Sequence, residues 1–225
     1  MSGPYSKTYN KGQKKRRSRK AKTTDGRQNQ RLKKLESIVY PALEYKARDI
    51  TATDASISTS SYVNYPMFQL EQGHGHSQRV GDKVTLKSMN CTLSLTKGDS
   101  TNVVRLIICA TPSSSHLVLS DILEYNNYST HGDMIFSSPY KRRASNAEKT
   151  YDILFDKLYN LTDDVNMIVD KFKCKIPKNG KQVNFQAVGS QQPDNFNVSV
   201  IAVSDSGSAT HPKMNLVVRS KYIDL

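Results

Sequence analysis

The chain contains no run of about 18 apolar residues, the length a helix needs to cross a bilayer, and its N-terminus has no apolar core of the kind a secretory signal carries. Neither membrane insertion nor secretion is expected. The matches to the glycosylation pattern at Asn127, Asn160 and Asn197 therefore carry little weight. Cysteine is scarce. Cys91, Cys109 and Cys174 are an odd number without metal-ligand spacing, each within an apolar strand-like run, which predicts buried reduced thiols. There is no Gly-x-Ser-x-Gly elbow, phosphate-cradling glycine loop, zinc-finger pattern or RRM signature. His74-Gly-His76 has no third ligand nearby, and Asp163-Asp164 does not fit an EF-hand loop, although contact with Ca2+ at an interface stays open. No enzymatic activity and no cofactor are expected.

Acidic side chains are nearly absent from the first 34 residues. That stretch holds thirteen Lys and Arg against Asp25 alone, a net charge of +12. Residues 35–225 hold 20 basic and 19 acidic groups, a net of +1. The cations concentrate in Lys14, Lys15, Arg16, Arg17, Arg19, Lys20 and Lys22. A segment so charged repels itself and has little to bury, so residues 1–26 are expected to be disordered alone. Its natural partner is a polyanion, bound through release of condensed counterions. A nuclear-import signal is an alternative that can coexist with this role.

Beyond Gly26, the positions of Leu32, Leu35, Ile38 and Val39 give one apolar helical face. Arg27, Arg31, Lys33 and Lys34 lie on other faces and are counted with the arm as nucleic-acid-binding candidates. Asp25 suits the N-cap and Pro41 the stop, so a short amphipathic helix is expected over 27–40. Such a helix is marginal alone and needs a partner for its stripe.

From Glu44 the pattern is β. Eight strands are expected: Tyr45–Ile50, Lys83–Thr96, Asn102–Ala110, Thr150–Leu161, Lys171–Ile176, Gln182–Gln186, Phe196–Ser204 and Asn215–Ile223. A change of parity between Val84/Leu86 and Met89/Cys91 predicts a bulge near Lys87–Ser88. Asn102–Ala110 reads as a strand buried on both faces, and helix stays open for Thr150–Leu161. Lys171, Lys173 and Lys175 alternate with Phe172, Cys174 and Ile176. Pro177-Lys-Asn-Gly180 is a turn, so that strand and the next read as a hairpin. The lysine face either extends a phosphate-binding surface together with Lys141-Arg142-Arg143 or guards a sheet edge. Long irregular stretches, Ser56–Asp82 and Thr111–Lys149, suit inter-subunit contacts or an exterior surface, with a helical turn near Ser120–Tyr125. Strands at this spacing without alternating helices make an all-β antiparallel sandwich or barrel. Val84, Ile107, Phe155, Phe172, Val200 and Val218 are the expected filling of a pair of four-stranded sheets.

A basic arm, a short helix and an eight-stranded β domain over 44–225 resemble a single jelly-roll viral capsid protein. Gln72-Gly73 and Gln78-Arg79-Val80-Gly81-Asp82-Lys83-Val84 resemble the entry to the second jelly-roll strand in capsids of small circular single-stranded-DNA viruses. Asn102-Val-Val-Arg105-Leu-Ile-Ile, Ile153-Leu-Phe-Asp156-Lys157, Ser204-Asp-Ser-Gly207 and Arg219-Ser-Lys-Tyr222-Ile-Asp224 resemble later phrases of such chains. The arm and helix are also similar to satellite tobacco necrosis virus-type coat proteins, which package RNA. The mix of Lys and Arg departs from the arginine runs of circoviruses proper. The resemblance implies a homo-oligomer of about 60 copies in a T=1 icosahedral shell. It further implies packaged single-stranded nucleic acid (DNA favoured over RNA), host nuclear import receptors as partners, and residence in the virion and host nucleus. A cellular nucleic-acid-binding β domain with a basic tail is the alternative.

Overall fold

The computed structural model describes residues 26, 28–35, 45–64, 66–112, 117–141, 151–186, 189–207 and 209–224. The chain divides into two units at Leu43/Glu44. In the first, residues 28–35 form helix α1. Leu32 and Leu35 on it are 54% and 58% exposed, so this part of the apolar stripe is open. Asp25, Ile38, Val39 and Pro41 lie outside the described residues.

The second unit has nine strands among the described residues: β1 (Tyr45–Ser56), β2 (Tyr62–Asn64), β3 (Lys83–Thr96), β4 (Asn102–Thr111), β5 (Asp152–Leu161), β6 (Met167–Lys173), β7 (Lys181–Asn184), β8 (Asn197–Ser204) and β9 (Lys213–Asp224). They form two antiparallel sheets. The first runs β1-β9-β3-β6, with β7 also on β3; the second runs β2-β8-β4-β5. Most consecutive strands thus fall in opposite sheets; the exceptions are β4 and β5, paired neighbours in the second, and β6 and β7, which share β3 in the first. The whole is the double Greek-key order of a jelly roll.

The sheets pack through alternating side chains. Val84, Leu86, Met89, Cys91, Leu93 and Leu95 of β3 meet Val104, Leu106 and Ile108 of β4 and Val198, Val200 and Ala202 of β8 in one buried cluster. Fully burying a side chain of this size stabilises by roughly 1.5–3 kcal/mol, so the cluster is the main source of cohesion. The expected bulge is present: the β3–β9 register slips between Leu86 and Ser88, which keeps both Leu86 and Met89 inside.

Four expectations are corrected. A ninth strand, β2, is added within the stretch read as irregular, so Lys83–Thr96 is the third strand of the jelly roll, not the second. The hairpin of residues 171–176 with 182–186 does not form. β6 pairs with Asn90–Thr96 of β3 and β7 with Lys83–Leu86 of the same strand, because β3 is long enough to hold two partners end to end. The first sheet accordingly has five strands. Finally, Ile107 does not lie between the sheets. It points the other way with Cys109, Ile201 and Val203, into a second cluster closed by Leu117, Leu119, Ile122, Leu123, Ile135 and Phe136. Val84, Val200 and Val218 are in the inter-sheet core, and Phe155 and Phe172 pack on it, stacked 3.6 Å apart.

That second cluster is a cover. Helices α2 (Leu119–Ile122), α3 (Tyr128–His131) and α4 (Met134–Ser137) lie over the outer face of the second sheet, which explains why β4 reads as apolar on both faces. Arg105 of β4 holds the cover down. Its Nη1 donates to the carbonyls of Ile135 (2.9 Å) and Ser138 (3.1 Å), while Nε and Nη2 donate to Asp156 at 3.1 and 2.7 Å. The Tyr140 hydroxyl also donates to Asp156.

Candidate nucleic-acid interface

The outer face of the first sheet differs sharply from that of the second. On β9, Val218, Ser220 and Tyr222 are buried, so strand parity turns Val217, Arg219 and Lys221 outward. On β3 the same rule presents Asn90 and Thr92, and on β6 Lys171 and Lys173. The registers align these side chains in rows. Arg219 is opposite Asp49 on one side and Asn90 on the other, and Asn90 is opposite Lys173. The next row is Thr51, Val217, Thr92 and Lys171. Lys221 is opposite Ala47 and Ser88. Cations on this face stand ~7 Å apart along a strand, and residues two strands apart are ~10 Å apart across the sheet.

Between them the floor is made of short side chains, polar at Ser88, Asn90 and Thr92 and apolar at Ala47 and Val217. A groove of about 480 Å³ is lined by Asn90, Thr92, Val217, Arg219 and Lys221. A second, of about 460 Å³, is lined by Ala47, Arg48, Asp49, Ser77, Arg219 and Lys221. Arg219 and Lys221 belong to both. Among the described residues, Lys171, Lys173 and Lys221 have no ion-pair partner. Arg219 does: its Nε and Nη2 donate to the two oxygens of Asp49 at 2.8 and 2.6 Å. These hydrogen bonds hold the Asp49 carboxyl below its ordinary range and raise the Arg219 guanidinium above its own.

The sequence-predicted residues fall differently. Lys14, Lys15, Arg16, Arg17, Arg19, Lys20, Lys22 and Arg27 lie outside the described residues. Arg31, Lys33 and Lys34 are exposed on α1. Lys171, Lys173 and Lys175 are exposed and Cys174 is buried, in the alternation the sequence predicts. β6 is an edge strand, so edge protection is a sufficient reason for Lys171 and Lys173. It is no reason for Arg219 and Lys221, because β9 lies between β1 and β3. Lys141 does not extend this surface. Its backbone N–H bonds Ile122 O at 2.7 Å within the cover, on the opposite side of the sandwich, and Arg142 and Arg143 lie outside the described residues. Arg219 and Lys221 were missed as binding candidates although Val217-x-Arg219-x-Lys221 has the same period-two signal as the lysine strand.

Among the described residues no group of three or more His, Cys, Asp or Glu is placed to hold a metal, and no helix is long and apolar enough to cross a membrane.

No family model and no curated protein matches the chain. Among solved structures, that of Desmodium yellow mottle tymovirus aligns at 10% identity over 80% of this chain and 87% of that one, with a TM-score of 0.35. Two structures of turnip yellow mosaic virus align at 11% and 8% identity over 81% of this chain and 94% of theirs, with TM-scores of 0.35 and 0.36. The strand order, rather than these distant alignments, identifies the jelly roll.

Proposed function

We propose that this chain is the structural subunit of a small icosahedral viral shell and packages a single-stranded nucleic-acid genome through its N-terminal arm. The observation that carries the reading is the separation of charge from fold. A jelly-roll body of net charge near zero is joined to 34 residues of charge +12. Neutral bodies pack side by side without long-range repulsion, while the arms supply the counter-charge that a packaged polyanion demands. In a shell of about 60 copies the arms would bring together about 700 positive charges. The arm cations are Lys14, Lys15, Arg16, Arg17, Arg19, Lys20 and Lys22, continued by Arg27, Arg31, Lys33 and Lys34 on the helix. The open Leu32 and Leu35 suit a contact made only in the assembled state. DNA as cargo, and import through nuclear receptors that read residues 14–22, follow from the sequence resemblance and belong to the same proposal.

Purified full-length protein should sediment as a closed particle, visible by electron microscopy, and yield nucleic acid that is degraded by DNase and not by RNase. A monomer or small oligomer at every protein and salt concentration would overturn the shell reading and leave a nucleic-acid-binding module. Cargo sensitive to RNase instead would move the subunit to the RNA-packaging class.

A further inference from the structure

We propose that the groove around Arg219 and Lys221 is a phosphodiester-binding site separate from the arm, and that Asp49 is its built-in competitor. The identity of the ligand, a single-stranded nucleic-acid backbone, rests on the packaging reading above.

The placement of the cations is the first argument. A central strand has both edges paired, so charge there does nothing to prevent strand addition. Arg219 and Lys221 project from such a strand and are exposed, with Lys173 and Lys171 on the same side of the sheet and, among the described residues of the second unit, no element packed over them. The floor is the second. Ser88, Asn90 and Thr92 are short and polar, and the exposed Val217 beside Thr92 is itself short, so a chain of phosphates can approach the cations over a low floor, and Asn90 offers both a donor and an acceptor. The third is the Asp49–Arg219 pair. Its geometry is the two-pronged one that guanidinium also uses for phosphate, and it is solvent-exposed, with side-chain exposures of 59% for Arg219 and 39% for Asp49. An exposed pair of this kind gains little over its separated state. A polyanion that engages Lys221 and Lys173 at the same time can therefore displace the carboxylate. Asp49 then stands beside the phosphates and repels them, which sets an upper limit on affinity and favours reversible exchange of the strand during packaging.

The competitor role predicts opposite signs for two neighbouring substitutions. The probe is a short single-stranded oligodeoxythymidine, titrated against the full-length chain over a range of salt. Arg219→Gln with Lys221→Gln should weaken binding and flatten the slope of log K against log salt by about 1.4, about 0.7 for each cation removed. Asp49→Asn should strengthen binding at every salt concentration and steepen the slope by up to about 0.7. Lys141→Gln with Lys178→Gln removes the same net charge elsewhere and should change the slope by much less. Cross-linking of the bound oligonucleotide should mark peptides that contain Lys221 and Lys173. A parent that binds while all three variants keep its slope would remove the groove and leave the arm as the packaging element. Equal losses in the groove and control variants would reduce the effect to overall charge and overturn the site. A parent that binds no oligonucleotide would remove the packaging reading along with it.

Discussion

The Sγ atoms of Cys91 and Cys174 lie 3.6 Å apart in the inter-sheet core, where β3 meets the chain leaving β6. Both thiols are free and buried, as is Cys109. The contact between Cys91 and Cys174, with burial, drives the Cys91 thiol far above its ordinary range, and burial pushes Cys109 up to about 12. Thiolate, the reactive form, is thereby suppressed. Native protein should show no rapid reaction with an aromatic disulfide reagent at pH 8, and three reactive thiols should appear in denaturant. Immediate reaction of even one equivalent in the native state would contradict this placement.

Arg105 is buried with four hydrogen bonds that tie the cover to the second sheet. Arg105→Met would leave Asp156 and two carbonyls without the guanidinium. Breaking one side of a buried pair costs about 3–5 kcal/mol. Urea unfolding should show a loss of this size, and limited proteolysis should cut within 117–141 before the sheets open. A variant as stable as the parent would show that the cover does not depend on this residue.

Asp170 accepts from Lys157 Nζ at 2.7 Å and the Tyr159 hydroxyl at 2.8 Å, and these hydrogen bonds hold its carboxyl below the ordinary range. A lowered carboxyl stabilises the fold above its unfolded value, near 3.9, and the contribution disappears as pH falls through the lower folded value. Lys157 is half exposed, so the effect at neutral pH is at most about 1 kcal/mol. Asp170→Asn should be slightly less stable at pH 7, and the gap should close below about pH 4. A gap that widens in acid would reverse the assignment.

Gly98, in the turn between β3 and β4, sits against backbone. A Cβ there would come within 2.3 Å of Thr210 O and 2.4 Å of the His211 carbonyl carbon. Gly98→Ala should cost about 1–3 kcal/mol, as overpacking does, read as a lower midpoint in thermal unfolding. Gly132 has open space at the same position but a φ of 53°, so Gly132→Ala tests backbone strain without crowding. The two variants should differ in their effect on the 209–212 loop, seen by amide exchange.

Counterion release makes the proposed packaging salt-dependent, whereas burial of the jelly-roll core is not. Raising salt on purified particles should release nucleic acid before the β-domain unfolds, followed by cargo absorbance and circular dichroism in parallel. Removing residues 1–34 should leave a folded domain with little nucleic acid. Normal cargo in that variant would move packaging to the body of the subunit.

Much of this architecture is legible in strand parity. The bulge at Leu86–Ser88, the double burial of β4 and the outward lysines of 171–175 all follow from which residues must avoid water. Three features escape that logic. β2 is three residues long, too short for alternation to register. β6 begins at Met167, four residues before the lysine pattern, because Met167 and Val169 are exposed and contradict the rule that large apolar side chains face inward. Ile107 points away from the main core because a cover made from a polar-looking stretch supplies it with a second apolar surface, a tertiary fact that no local window contains. The Arg219–Lys221 face was within reach of the same parity rule. Its central position was not, since neighbours in a sheet are set by long-range pairing.

That long-range pairing also orders events in time. Tyr45 pairs with Ile223 and Ser56 with Lys213, so β1 is matched to the strand made last among those described. β3 likewise finds its longest partner in β9. During synthesis the first sheet therefore remains incomplete until residues 213–224 have left the ribosome. Closing so long a loop is slow compared with local hairpin formation. The arm proposed to engage nucleic acid is already made at that stage, but the surface formed by the finished first sheet does not yet exist. Under the proposed packaging role, capture of a polyanion by the arm can precede folding, whereas the proposed groove on the first sheet exists only once β9 has been made.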